Sequence, residues 1–265
     1  MFTLTPSGNS PDFSEDDADS PAALKKTSYA NLRLVPATDG VNAVLICKVV
    51  LQLEFSDGVS EQPDTKGQPL VWTDAEKTAF SQAFVDATKK IWDFQFEIKG
   101  ASGYFHRSAA AQMEIVIKTG ATIFKHYHIN VTKIDKFARS FVKGDRPIVG
   151  SDAELASVDV TGVTKGASMP QRGGPHEFGH MISYDDEYSD VIGSGIPTRP
   201  TSNANFLSDL DSIMNRGETL RKRHYTIFAA WLTKQYQNFT HTSIDKSDPI
   251  IWKVEGDTDL SNAQI

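Results

Sequence analysis

Apolar residues recur along this chain in two registers, every second position and every third to fourth, and the alternation between them marks out the elements. Asn42–Phe55 is dense in valine, leucine and isoleucine and predicts one long buried strand. The polar stretch that follows, with Asp57-Gly58 and Gly67-Gln68-Pro69, predicts a loop. Thr73 with Glu76 three residues on is a capping box, and Phe80, Phe84, Ala87 and Ile91 then share one face of a helix over Asp74–Trp92. Phe94, Phe96 and Ile98 alternate, as do Met113, Ile115 and Ile117, so both segments predict strands. Further strands are expected over Ile123–Val131 and, shorter, near Ala156–Val160. A second helix is expected to open at Pro175, a residue suited to a first helical position, after Gly173-Gly174 lets the chain turn into it. A loop-rich stretch with Gly193, Gly195, Pro197 and Pro200 precedes a last helix near Leu220–Tyr236, striped by Tyr225, Phe228, Ala229, Leu232 and Tyr236. Beyond Thr240, Ile250, Ile251, Trp252 and Val254 are expected to pack back on the body.

With 265 residues, 39% of them apolar and 23% charged, the chain fits a soluble globular protein able to bury a sizeable core. A net charge of -7 argues against a nucleic-acid partner, because phosphate contacts need clustered lysine and arginine. No apolar run approaches the roughly 20 residues that span a bilayer, so no membrane span is expected. The lone Cys47, set in an apolar run, excludes an intrachain disulfide and reads as a small buried hydrophobe. Residues 1–27 form an acidic segment with Asp12, Glu15, Asp16, Asp17 and Asp19, broken by Pro6, Gly8 and Pro11. It lacks the features of a secretory signal and is expected to be disordered, either as a solubilising tail or as an address for export. Cytoplasmic synthesis follows, with delivery outside the cell by a non-classical route as a further expectation.

The chemistry gathers in Gly173–Tyr188. His176 and His180 are four apart and project from one helix face, a spacing from which two imidazoles can reach one tetrahedral metal ion. Glu177 follows the first histidine and can act on a water molecule without ligating the metal, as in the His-Glu-x-x-His signature of metalloproteases. Asp186 lies ten residues after His176 and can supply a third ligand, leaving a fourth position for water. Glu218, Asp209 and Asp211 remain alternatives for that third ligand, and Asp185 or Glu187 can replace Asp186 by a small shift in the chain path. Farther on, Ser212-Ile213-Met214-Asn215 places a methionine in a turn-like setting. His126 and His128 alternate on an expected strand and can in principle hold a second metal, but with no third ligand nearby in sequence, surface or half-buried histidines without such a role are the favoured reading. His106 and His241 lie in no motif.

The set His176-Glu177-Phe178-Gly179-His180, Asp186-Glu187-Tyr188 and Met214 resembles the metzincin clan of zinc metalloproteases, in the form found in several bacterial zincins. The resemblance implies an α/β (α+β) zincin fold: a twisted mixed sheet with a backing helix and an active-site helix, then a smaller C-terminal subdomain carrying a Met-turn and a helix. It implies one domain over 28–265, with an N-terminal subdomain over 28–183 and a C-terminal one over 184–265. It also implies a Zn2+ cofactor held by His176, His180 and Asp186, Glu177 as general base, Met214 as a structural floor, and endopeptidase activity on a peptide or protein substrate. By the same analogy Ser151–Thr161 would be the sheet edge on which that substrate pairs. Ser183 departs from the pattern, because the clan has there a glycine in a left-handed conformation that serine adopts less readily. Tyr225, and with it His224, is a candidate for stabilising an oxyanion, or else part of the core; Tyr188 is similarly open. Motifs of this form occur in proteases carried by bacterial contractile injection systems, which suggests an exported effector or toxin whose tail meets the injection machinery. A zinc amidase acting on a non-protein amide such as peptidoglycan, or an inactive metal-stabilised binding module, are the alternatives.

Overall fold

The computed structural model describes residues 13–14, 30–100, 108–118, 120, 125–136, 140–143, 151–165, 169–187, 206–240 and 252–255. The expected disorder of residues 1–27 lies outside these, save for Phe13–Ser14, a two-residue strand β1 paired antiparallel with β2 (Asn31–Pro36). The chain is mixed α/β and forms two compact units, each discontinuous in sequence: Met1–Val49 with Trp92–Glu114 and Arg221–Ile265, and Val50–Ile91 with Ile115–Leu220. The boundary expected near residue 183 falls inside the second unit.

The expected long strand is β3, Ala43–Ser56, and its two halves serve different units. Short strands β4 (Gly58–Val59) and β5 (Pro69–Leu70) close the loop after it. Helix α1 runs Asp74–Trp92, as the capping box predicts: Thr73 N donates to Glu76 Oε2 at 2.9 Å and Glu76 N to Thr73 Oγ1 at 3.3 Å. In the second unit the end of β3 pairs parallel with β8 (Tyr127–Thr132), and β8 pairs parallel with β10 (Ser151–Ala156). Residues Leu51, Leu53, Tyr127, Ile129, Val131, Ala153 and Leu155 fill one face of this sheet and are buried, whereas Gln52, Glu54, His128, Asn130, Asp152 and Glu154 stand on the other.

Two expectations about strands need correction. The strand sought near Ala156–Val160 ends at Ala156, because buried Asp159 draws the chain into a turn, its Oδ2 accepting from Ala156 N at 2.5 Å and from Ser140 Oγ. Nor is Ser151–Thr161 a free edge. Strand β9 (Phe141–Lys143) pairs antiparallel with β10, so β9 ends the strand order and packs beside the helix that carries the histidines. Strands β11 (Val163–Lys165) and β12 (Met169–Gln171) make a hairpin, and α2, Gly173–Met181, follows at once. Pro175 is thus the third helical residue, still within the first turn, where a missing N–H costs no intrahelical bond.

The first unit holds the antiparallel pair β2–β3, in register Leu32↔Cys47 and Leu34↔Leu45. β7 (Ser108–Lys118) passes, like β3, from this unit to the second. Of the strand expected over Phe94–Ile98, only β6 (Ile98–Lys99) is paired, with β7; Phe94 takes a left-handed φ of 51° and breaks the extension. The last helix, α3, begins at Thr226 rather than near Leu220, after a 3-10 turn over Lys222–Tyr225, and Phe228, Ala229 and Leu232 are buried along it. Trp252 and Val254 do pack back, with β13 (Lys253–Val254) paired to β6. Among the described residues no helix is long and apolar enough to cross a membrane.

The C-terminus of α2 is tied to the sheet by Tyr127, whose buried hydroxyl donates to the Met181 carbonyl at 2.8 Å. Tyr127→Phe should leave that buried acceptor without a partner and lower unfolding stability by about 1–3 kcal/mol, read from the urea midpoint at unchanged slope.

Candidate metal centre

Helix α2 can sit where it does because its first two residues lack side chains. A Cβ on Gly173 would lie 2.1 Å from Asp159 Oδ1, and one on Gly174 would lie 2.9 Å from the Phe84 ring. The two glycines are therefore needed for close approach, not for a turn of unusual backbone. Gly174 N donates to the Asp159 carbonyl at 3.0 Å, and the helix is held against α1 and the Asp159 turn.

Its other end carries the decisive geometry. Ser183 adopts φ 85°, Ser183 N donates to His180 O at 3.1 Å, and Tyr184 N donates to Gly179 O at 3.0 Å. These two bonds form a Schellman closure around a left-handed residue, so the serine takes the conformation expected of a glycine. The chain turns back, and the Tyr184 carbonyl comes to 2.7 Å from His180 Nδ1. Two residues later Asp186 Oδ1 reaches 3.2 Å from His180 Nε2 and 3.3 Å from His176 Nε2. The His176 ring is fixed separately, with Nδ1 2.6 Å from the Ile213 carbonyl. A carbonyl only accepts, so each Nδ1 carries a proton, and each ring, once neutral, turns an Nε2 lone pair toward Asp186.

Three lone-pair atoms thus face one another within 4.8 Å, with no donor among them while the rings are neutral. Four ligands at about 2.0–2.1 Å from a tetrahedral ion lie about 3.3 Å apart, which matches both Nε2–Oδ1 separations. His176, His180 and Asp186 can therefore hold a metal ion, and among the described residues they are the group that does so. Glu177, on the same helix and 3% exposed, has an Oε2 that is buried without a hydrogen-bond partner. An orphaned buried acceptor is costly in a resting fold and is what a group reserved for an incoming water molecule would show.

The alternative third ligands lie elsewhere. Glu218 accepts from Arg172 Nε at 2.8 Å, from Arg172 N at 2.8 Å and from Arg172 Nη2 at 2.7 Å; burial pushes its carboxyl up, but the guanidinium more than offsets this and holds it low. Asp185, Glu187, Asp209 and Asp211 do not join the three. Met214 is fully buried in the turn over 211–219. Glu187 N donates to Met214 O at 2.8 Å, and Asn215 Nδ2 to Glu187 O at 3.2 Å.

Tyr225 is a core residue of the first unit. Its hydroxyl donates to the Trp92 carbonyl and accepts from Gln95 N at 3.2 Å, its ring packs on Phe96 and Phe228, and burial pushes its ionisation far upward. With its proton committed to main chain, it has none to offer an oxyanion. His224, also buried, accepts from Arg221 N at 3.1 Å in the 3-10 turn. His126 Nδ1 accepts from Val50 N at 2.8 Å, and His128 Nε2 lies 2.8 Å from Glu54 Oε2, so these two histidines share no metal group. Tyr188, His106 and His241 lie outside the described residues. Missed from the sequence were the partners of the two imidazoles, the Tyr184 and Ile213 carbonyls, and, apart from them, the Arg172–Glu218 pair. Backbone acceptors leave no residue-type signal.

A scan against models of known protein families and a search of curated proteins gave no match to this chain.

Burial draws the His180 imidazole down, but Asp186, Glu177 and the Tyr184 carbonyl outweigh it and push the ring up to about 9. Burial raises the Asp186 carboxyl, and the two imidazoles beside it more than reverse this and hold it far below the usual carboxylate range. Without metal, the raised His180 contributes its full stability below the unfolded histidine value of roughly 6.5 and loses it as pH rises through about 9. The depressed Asp186 contributes above roughly pH 4 and loses it only in strong acid. At pH 7 His180 accordingly carries a proton that a metal ion must displace. Metal uptake should release protons at pH 7, with less release as pH approaches 9, and calorimetry in buffers of different ionisation enthalpy reads this directly.

Asp186→Ala should remove stoichiometric metal after dialysis against a weak chelator, whereas Glu218→Ala should keep it; the reverse pattern would exclude Asp186. Ser183→Gly should keep the metal too. Ser183→Val puts a branched side chain at positive φ and should cost about 1–2 kcal/mol of stability together with metal affinity.

Proposed function

We propose that the protein is a zinc-dependent endopeptidase of metzincin-like architecture. The observation that carries this reading is the convergence of His176, His180 and Asp186 beside the unpartnered buried carboxylate oxygen of Glu177. Two imidazoles and one carboxylate are a donor set suited to zinc, and three protein ligands leave a position open, as a catalytic site requires and a structural one does not. The order of elements supports the same reading: parallel strands β3, β8 and β10, an antiparallel outer strand β9, then the metal helix and a buried methionine turn.

Zinc in this site would polarise a scissile carbonyl and make water acidic near neutral pH. The remaining work falls to the chain. Glu177 Oε2 takes the proton of the attacking water as its oxygen bonds to the carbonyl carbon, and delivers it to the amine nitrogen as the C–N bond breaks. The Tyr184 and Ile213 carbonyls hold both histidines in the tautomer that leaves Nε2 free. In this reading an extended peptide would lie along the sheet beside α2, near β9, which ends the strand order among the described residues.

The decisive comparison is of new protein N-termini in lysates treated with wild type, with wild type plus chelator, and with Glu177→Gln. Glu177→Gln should lose activity by at least about 100-fold while retaining fold and zinc content. Full proteolysis by this variant would end the mechanism, and loss of zinc would make Glu177 a ligand instead.

A further inference from the structure

Two residues before α2 stands Gln171, the last residue of β12, 2% exposed. Its Nε2 lies 2.9 Å from the carbonyl of Gly217, 3.1 Å from that of Ile213 and 3.2 Å from that of Asn215. Three acceptors facing one atom settle the orientation of the amide, since an oxygen there would meet only acceptors. Two N–H bonds serve three carbonyls from alternate residues, so the turn wraps around the amide nitrogen. Ile213 is held twice: its carbonyl takes one bond from Gln171 and one from His176 Nδ1, at 2.6 Å. The amide nitrogen is also 3.5 Å from His176 Nδ1, an approach of two donors brought together by their common acceptor.

We infer that Gln171 is a positioning residue for the metal centre, acting through the 213–217 turn. By gathering these carbonyls it aims that of Ile213 at His176 Nδ1, which fixes both the ring and its tautomer and leaves Nε2 facing Asp186 Oδ1. Arg172, its neighbour, grips the same turn through Glu218, from a half-buried position. That pair secures the turn but makes no contact with the carbonyl that orients His176, so the two clamps differ in what they control. Gln171 governs the ligand, and Glu218 governs only the stability of the turn. The inference rests on His176, His180 and Asp186 binding a metal, and is independent of the reaction catalysed.

The test titrates the metal-free full chain with Co2+, following visible d–d absorption for affinity and geometry and thermal unfolding for stability. Gln171→Met keeps the length and removes the donors; it should bind Co2+ about 10- to 100-fold more weakly, with an altered spectrum. Glu218→Gln should lower the unfolding temperature yet keep wild-type affinity and spectrum. If Gln171→Met does not fold, Gln171→Asn, one methylene shorter and still a donor, should show the same weakening and spectral change. The inference is overturned if the Gln171 variant titrates like wild type, or if Glu218→Gln weakens Co2+ binding as much. Should wild type itself take up no Co2+, the metal-centre reading fails and the inference falls with it, an outcome separate from the other two.

Discussion

At Ser183 a non-glycine residue is held at φ 85°, and the whole site depends on the reversal this permits. A helix ending without it would send residues 184–186 onward along the axis, leaving His180 Nδ1 without its carbonyl and both Nε2 atoms without a carboxylate. The cost of a left-handed serine, on the order of 1–2 kcal/mol, is offset by the two Schellman bonds that satisfy the Gly179 and His180 carbonyls. One local conformation therefore closes the helix, orients the His180 ring and brings Asp186 back to both imidazoles.

The second ring is oriented by a segment distant in sequence. The turn over 211–219 is threaded with buried polar groups: the Ile213, Asn215 and Gly217 carbonyls, the Met214 carbonyl and the Asn215 side chain. Burying so many carbonyls would be prohibitive were they not paired, and Gln171, His176 and Glu187 N supply donors.

Close packing fixes the other end of the helix. Gly173 against the Asp159 carboxylate and Gly174 against the Phe84 ring bring backbone where side chains would normally stand, and Tyr127 clamps the helix C-terminus to the apolar face of β8. The two histidines are thereby mounted on an element held at both ends, as a site of fixed geometry requires.

Short-range rules made much of this legible from residues alone. The capping box and the apolar spacing of α1 placed that helix, the valine- and leucine-rich run placed β3, and the four-residue spacing placed both histidines on one face. Alternation could not say which strand is outermost, because pairing order is a property of the sheet and not of any strand; β9, three residues long, covers β10. Nor could it show that Phe94 leaves the extended region, or that Tyr225 spends its hydroxyl on a distant carbonyl. The choice of Asp186 over Glu218 was open in the sequence, where both are carboxylates at plausible range. Tertiary structure separates the two, since Arg172 pairs with Glu218 through two of its nitrogens while the turn at Ser183 carries Asp186 to within 3.3 Å of both imidazoles. The sequence by itself determined which side chains were available for the chemistry; which carbonyls orient them, and which carboxylate reaches them, depended on contacts between segments far apart in the chain.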